Sequence, residues 1–227
     1  MDKSGTYSLI ITAAGTGSRF DSRDAKQFVE LCGKPLLRRT CEMFWRQGLF
    51  SYCVITARPS EKEKVKSLLS ELPYFFSYEV IEGGSTRFES VKKAFYQLRQ
   101  TDKVMIHDGA RPLVSHRLIQ RVIEAAKTNL VVIPGVPVTN TIKWVEHGSV
   151  KSTLPRDFLF TIQTPQAFDY SILDKAYHAF DGNDISDEAG LVERIGVPVS
   201  VVEGENENIK VTVKSDLEYA RTFFTRL

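Results

Sequence analysis

The stretch Ser8-Leu9-Ile10-Ile11-Thr12-Ala13-Ala14-Gly15-Thr16-Gly17-Ser18-Arg19, continuing to Ala25-Lys26-Gln27-Phe28, decides how the chain is read. A short β-branched run that breaks into glycine has the form of a buried strand ending in a loop. Gly15 and Gly17 remove side chains, so a ligand can approach the backbone and N–H groups can face a phosphate. Arg19 and Lys26 add two cations beside that loop. Arg grips phosphate oxygens bidentately, while Lys acts as a compact point charge. Together they read as a triphosphate cradle; the alternative is a tight strand-to-helix turn with solvated charges. A P-loop is excluded, because the glycines lead into Ser18-Arg19 rather than Gly-Lys-Ser/Thr. The dinucleotide fingerprint fails too: Arg19 stands where a third small residue belongs, and Cys53-Val54-Ile55-Thr56-Ala57 ends in Arg58-Pro59 with no acid.

Outward from this loop, strand-like and helix-like segments alternate. Ser60 and Glu63 form a capping-box pattern before Val65, Leu68, Leu69 and Leu72, and Thr86 and Glu89 repeat it before Val91, Ala94, Phe95 and Leu98. Ser115 can cap a helix carrying Leu118, Ile119, Val122 and Ile123, and Ser215 with Glu218 can cap the last one. Apolar runs at Lys103–His107, Leu130–Pro134 and Val197–Val202 lie between. This order predicts an α/β fold with a mostly parallel sheet and helices on both faces, with ligands at the carboxyl ends of the strands. Val138–Leu159 breaks the rhythm. Thr141–Val145 and Val150–Leu154 alternate around His147-Gly148-Ser149, which predicts a hairpin with Trp144 exposed. A lone hairpin is marginal, so it needs a partner surface, either the parent domain or a second subunit.

The 227 residues suit one domain over 1–227, with 138–159 as a protruding arm, and 42% hydrophobic content supports a core. The 30 Lys+Arg against 28 Asp+Glu offer no reason to expect nucleic-acid or membrane-surface binding. Cys32, Cys41 and Cys53 lack metal-site spacing and read as buried apolar residues in a reducing cytosol. No apolar stretch approaches about 18 residues, so a cytoplasmic location is expected.

Three further segments carry candidate chemistry. His107-Asp108-Gly109-Ala110-Arg111-Pro112 follows a strand and falls on the same rim as the glycine loop. Asp108 could accept ribose hydroxyls or help hold a metal, Gly109 permits close approach, and Arg111 could bind an anion or hold the loop. A His107–Asp108 dyad carries little weight without a nucleophile elbow. Gly83-Gly84 exposes backbone, and Ser90 lies one turn into the next helix, so this turn could read a base or merely cap the helix. Lys210, alternating with Ile209 and Val211, reads as a strand lysine that points to solvent unless that face is the ligand rim.

Further motifs complete the set: Pro137-Val138-Thr139-Asn140-Thr141-Ile142-Lys143, Gln163-Thr164-Pro165-Gln166, Ser186-Asp187-Glu188-Ala189 and Asn208-Ile209-Lys210-Val211-Thr212. Taken in order over nearly the whole chain, these segments resemble the 2-C-methyl-D-erythritol 4-phosphate cytidylyltransferase family of the non-mevalonate isoprenoid pathway. The resemblance implies a Rossmann-like nucleotidyltransferase fold, a homodimer joined by the hairpin arm, and the substrates CTP and a small sugar-alcohol phosphate. By it, Arg19, Lys26 and Lys210 surround the triphosphate as catalytic residues, and Ala13, Ala14, Gly15, Gly17, Gly83 and Ser90 hold the nucleotide. Asp108, Gly109, Arg111, Ser186 and Lys210 line the sugar-phosphate side, with Asp108 and Gly109 also bordering the nucleotide. Thr141 and Arg156 would arrive from the partner subunit.

The implied reaction is attack by the substrate phosphate on the α-phosphorus of CTP, with pyrophosphate leaving. Mg²⁺ is the implied cofactor, held mainly by the CTP phosphates, with Asp108 the candidate protein contact. Three departures stand out: Asn140 where the family usually has Asp, Gly109 for a usual Ala, expected to be harmless or loosening, and Ser186 for a usual Thr. The related pentitol-phosphate cytidylyltransferases share most of these motifs. Lys143 and Asp187-Glu188-Ala189 favour the erythritol enzyme. The competing class is a non-catalytic CTP-binding module, against which Arg111 and Arg156 argue for two phosphorylated ligands.

Overall fold

The first strand, β1 (Tyr7–Thr12), is apolar on both sides: Leu9 and Ile11 join one buried cluster and Ile10 joins another. That alternation sorts the whole core. The computed structural model describes residues 6–15, 20, 25–70, 72, 77–99, 101–182 and 185–224. After β1 come the short paired strands β2 (Glu30–Leu31) and β3 (Lys34–Pro35), then α1 (Leu36–Trp45), β4 (Phe50–Ala57), α2 (Lys62–Ser70) and β5 (Ser77–Glu82). The chain continues through α3 (Arg87–Phe95), β6 (Lys103–Asp108), α4 (His116–Ala126) and β7 (Val131–Pro137). Next are β8 (Ile142–Glu146), β9 (Ser149–Leu154), β10 (Phe160–Ile162), β11 (Gln166–Asp169), α5 (Tyr170–Ala179), α6 (Glu188–Glu193), β12 (Ser200–Glu203) and α7 (Lys214–Phe224).

Among the described residues the main sheet has eight strands. β5, β4, β1 and β6 lie side by side in parallel, as the alternation of strands and helices predicts. β11 then inserts antiparallel between β6 and β7, β10 also runs antiparallel to β7, and β12 pairs with β7 in parallel. Leu9, Ile11, Cys53 and Ile55 pack against α1, α2 and α4 on one face. Ile10, Val54, Val104 and Ile106 pack against α3, α5 and α6 on the other. Burial on both faces is why these strands read as continuous apolar runs. A third cluster joins Leu31, Leu36 and Val211 to Leu217 and Ala220 of α7.

The helix starts are mixed. Thr86 caps α3 by accepting from Glu89 N at 3.1 Å, and Ser115 caps α4 by accepting from Leu118 N at 2.9 Å. Ser60 does not cap α2. It lies inside a 3₁₀ turn, Pro59–Glu61, that leads straight into the helix, because Pro59 favours that first turn. Ser215 does not cap α7 either: the helix begins at Lys214, and Asp216 accepts from Thr212 N and Val213 N instead. Cys41 and Cys53 are buried, but Cys32 is exposed at a left-handed turn position with φ 50°.

β8 and β9 pair only with each other. His147 and Gly148 both have left-handed φ, 48° and 76°, as a two-residue primed hairpin turn requires. Trp144 is 55% exposed, and Val145 and Val150 are exposed too, so the parent domain does not cover the hairpin.

Candidate functional site

Register builds the site. Thr12 lies opposite Thr56 on β4 and opposite Asp108 on β6, and Ala57 lies opposite Glu82 on β5. The carboxyl ends of these four parallel strands are therefore level, and the loops that follow open on one edge, the usual place for a ligand in such a sheet. The turns are tied down by backbone bonds: Ala13 N donates to Thr56 O at 3.0 Å, Gly83 N to Ala57 O at 2.9 Å and Gly109 N to Thr12 O at 2.9 Å. Gly83 must be glycine here, since a Cβ would stand 2.4 Å from Ala14 Cβ and 2.8 Å from Ser90 Oγ. Ser90 Oγ accepts from Gly84 N at 2.9 Å and donates to Thr86 O at 2.8 Å, so it braces the turn it faces.

The edge holds a cleft of about 290 Å³. Ala13, Ala14, Gly15, Lys26, Ser90, Asp108, Gly109 and Lys210 all line it, as do Thr56, Ser85, Thr86 and Arg87. A second hollow of about 270 Å³ adjoins, lined by Arg111, Ser186, Gln163, Thr164 and Gln166. Arg87, Asp108 and Lys210 line both and form the wall between them. Thr141 and Arg156 line neither; Arg156 sits at the base of the hairpin and donates to Thr139 O at 2.6 Å. Gly17 and Arg19 lie outside the described residues.

Lys210 is not in a strand. It lies in an irregular segment, and that segment is pinned at several points. The buried Asn208 donates to Thr164 O at 2.8 Å, and its carbonyl accepts from Arg111 Nη1 at 2.8 Å. Val211 N donates to Ala110 O at 2.9 Å. This fixes the lysine at the rim, where Nζ stands 2.9 Å from Asp108 Oδ2. Lys26 lies in a 3₁₀ turn, Lys26–Phe28, whose buried Gln27 donates to Glu61, which also pairs with Arg58.

Asp108 is the electrostatic centre. Burial alone would raise its carboxyl, but Arg87, Lys210 and Arg111 outweigh burial and hold it well below the usual carboxylate range. Arg111 reaches it at 3.5 Å and is itself largely buried, which fits holding the loop. Arg87 Nε stands 3.4 Å from Asp108 Oδ1, while Arg87 Nη1 bonds the fully buried Glu188 at 2.7 Å. For Glu188 burial wins: its carboxyl is raised, with Arg87 offsetting only part. His107 takes no part in the cleft. Its Nδ1 meets Thr164 Oγ1 at 3.0 Å and its Nε2 meets Arg111 O at 3.2 Å, and burial pushes it down to about 3.

Sequence reasoning did not single out Arg87 or Glu188 as site residues. Arg87 reads as a first-turn helix residue, and Glu188 as a carboxylate beside a helix N-terminus, where an acid is ordinary. No spacing rule links residues 101 positions apart. Gly109 also differs from expectation. A Cβ there would stand 2.8 Å from Thr12 O and 3.0 Å from Leu37 Cδ1, so the glycine is required by a neighbouring backbone and is not a loosening change.

Comparison with known proteins agrees with this geometry. Residues 7–226 match the family model described as IspD: 2-C-methyl-D-erythritol 4-phosphate cytidylyltransferase. The chain is 39% identical over 217 residues to the 2-C-methyl-D-erythritol 4-phosphate cytidylyltransferase of Halalkalibacterium halodurans, covering 94% of this chain and 95% of that protein. It is similar in structure to the 4-diphosphocytidyl-2C-methyl-D-erythritol synthase of Anaerococcus prevotii, with a TM-score of 0.86 at 29% identity over 98% of this chain and 100% of that one. The Thermus thermophilus 2-C-methyl-D-erythritol 4-phosphate cytidylyltransferase matches with a TM-score of 0.78 at 32% identity, over 98% and 100% of the two chains. The match to the family model spans nearly the whole chain, and the chain belongs to the 2-C-methyl-D-erythritol 4-phosphate cytidylyltransferase family.

Proposed function

We propose that the chain joins CTP and 2-C-methyl-D-erythritol 4-phosphate into 4-diphosphocytidyl-2-C-methyl-D-erythritol, releasing pyrophosphate. One observation carries this reading beyond family membership: two adjoining hollows share a wall made of Arg87, Asp108 and Lys210. A group-transfer enzyme needs two ligands with their reacting atoms at a common boundary, whereas a nucleotide sensor needs only one pocket. The nucleotide occupies the cleft of Ala13, Ala14, Gly15, Gly84 and Ser90, with Gly83 behind it and its α-phosphorus at the shared wall. The sugar-alcohol phosphate occupies the hollow of Arg111 and Ser186. A phosphate oxygen of the second substrate attacks the α-phosphorus, and the bond to the bridging oxygen of the β-phosphate breaks. The attacking monoester is already largely dianionic at neutral pH, with a second pKa of about 6, so no general base is required. That suits a rim where His107 is buried with both ring nitrogens engaged.

What the protein must supply is alignment of two polyanions and cations aimed at the developing charge. Lys26, Lys210 and Arg19 take this part. Asp108 fixes Lys210, and Gly83 and Gly109 let the turns behind the cleft pack closely on Ala14, Ser90 and the Thr12 carbonyl. Magnesium would be carried by the nucleotide phosphates and would neutralise part of their charge. Among the described residues lining the cleft Asp108 is the carboxylate, and its oxygens already meet Arg87, Arg111 and Lys210, so it would touch such an ion only by giving up one of them.

The active species is a homodimer in which the 138–159 arm of one chain brings Thr141 and Arg156 to the sugar-phosphate hollow of the other. The exposed Trp144, Val150 and Phe158 of that arm support this, since apolar side chains of this size need cover. The three free cysteines support a cytoplasmic setting, and no helix among the described residues is long and apolar enough to cross a membrane. A pyrophosphate-release assay tests the reading. Release is expected with CTP plus 2-C-methyl-D-erythritol 4-phosphate, and little with ATP or with ribitol 5-phosphate. No release with the expected pair, or equal turnover of ATP, overturns it.

A further inference from the structure

Glu188 has no solvent exposure, yet it carries a carboxylate into the core behind the rim. Burying an ion pair rarely stabilises a fold more than apolar side chains of similar size would. Its environment is not built around the carboxylate for its own sake either: Oε1 has no hydrogen-bond partner. What Glu188 does hold is Arg87, through Oε2 at 2.7 Å, the length of a strong charge-assisted bond. The group is placed firmly. It projects from the first residue of α6, whose Asp187 cap accepts from Gly190 N at 3.0 Å and, on its other oxygen, from Gln166 Nε2 at 2.8 Å.

The consequence lies at Asp108. An Arg beside a carboxylate ordinarily forks onto it with two short bonds. Arg87 does not: its hydrogen bond to Asp108 is a single long one, Nε to Oδ1 at 3.4 Å, while Nη1 holds Glu188 at 2.7 Å on the other side. Arg111 is similarly distant, at 3.5 Å. Lys210 is left as the close cation on Asp108, at 2.9 Å, and it stands in the wall shared by both hollows.

We propose that Glu188 is a positioning residue for the transfer, tethering Arg87 away from Asp108 so that Asp108 is free to fix Lys210 at the shared wall. The inference rests on the functional reading above. With the tether cut, Arg87 forks onto Asp108 and displaces Lys210 from its place. Lys210 is assigned to charge that develops during transfer, so its loss from position lowers kcat more than nucleotide binding.

The test is Glu188→Gln, which keeps shape but removes the charge. In the pyrophosphate-release assay kcat should fall on the order of 100-fold, the scale of a misplacement of about 1 Å. The KM for CTP should stay within about threefold of wild type, a split that general destabilisation does not produce. The same substitution in an Arg87→Ala background should cost little more, because the residue it acts through is gone. An unchanged kcat in Glu188→Gln, or full additivity with Arg87→Ala, overturns the inference. If the Gln variant does not fold, Glu188→Asp, which shortens the reach by one methylene and keeps the charge, carries the test: the same kcat loss supports the tether and wild-type kcat overturns it. Wild-type turnover is read in parallel. No release by the wild type ends the functional reading, whereas release by wild type with full kcat in the variant ends this inference alone.

Discussion

Along β6 every residue from Val104 to Asp108 is buried, whereas along β8 and β9 none is. Residues assigned to the reaction lie at the end of β6 and at the two ends of the hairpin, but the two regions are placed by different forces. β6 is held by ladders on both sides and by apolar side chains on both faces, so Asp108 arrives at the rim with its direction already set. The hairpin is held by its own ladder and a two-residue turn, and two strands alone are marginal. The difference teaches that this chain positions the groups of its cleft by its own packing, whereas the hairpin pairs with no other strand of its own domain among the described residues.

The largest expected effect tests that division directly. Lys26→Ala in the cleft and Arg156→Ala on the arm should each reduce turnover by roughly 100- to 1,000-fold, the loss of one donor to developing charge. In mixed dimers one site keeps both residues and the other lacks both. With free exchange at equal amounts, activity should return to about a quarter of wild type. Co-expression and purification of the mixed species gives the measurement. No recovery in verified mixed dimers would mean that the arm serves its own chain and that the contrast is wrong.

Next is the tightness of the cleft edge. Gly109→Ala puts a Cβ 2.8 Å from the Thr12 carbonyl oxygen, a backbone atom that cannot swing away. Urea unfolding should show a loss of roughly 1–3 kcal/mol, the usual cost of overpacking. Wild-type stability in this variant would mean that the edge yields as readily as a loop.

Acid should also separate the two regions. An unfolded His107 takes up a proton near 6.5, but in the fold burial pushes it down to about 3. Between those values the unfolded chain binds more protons, so stability falls as pH drops through that window. From pH 7 to pH 5 the loss from this group is about 2 kcal/mol. His107→Gln should flatten the slope of stability against pH over that range, whatever it does to stability at pH 7. An equal slope in wild type and variant would assign the acid sensitivity elsewhere.

The smallest effect belongs to the hairpin. Trp144→Ser should change the unfolding free energy of the parent fold by less than about 0.5 kcal/mol, as for other exposed positions. It should nonetheless weaken self-association in sedimentation at low protein concentration. A large stability loss with no change in association would place Trp144 against its own domain.

The parts of this molecule legible without a structure are those governed by neighbours in sequence. Alternation of Leu9, Ile10 and Ile11 predicts a strand buried on two faces, and the two clusters confirm it. Thr86 and Ser115 act within three residues of themselves, so their caps can be read directly. Ser60 and Ser215 show the limit: the same residue types fit the pattern, but a proline-led turn and Asp216 supply the start instead. Exposure of Cys32 was equally hidden, because it follows from a left-handed turn.

The sequence by itself determined the alternating α/β plan, the glycine turns on one rim, the family, and a hairpin over residues 141–154; that the hairpin pairs with no other strand of the described residues came from the structure. Each depends on periodicity or on the order of short motifs, which the chain carries locally. Only the tertiary structure decided the insertion of β11 antiparallel between β6 and β7, the delivery of Lys210 to Asp108 by an irregular segment, and the Arg87–Glu188 pair behind the rim. The physical reason is separation along the chain. Arg87 and Glu188 lie 101 residues apart, and their charges meet because α3 and α6 pack on the same face of the sheet. Whether a charged residue faces solvent or a buried partner is then set by the groups that packing brings beside it.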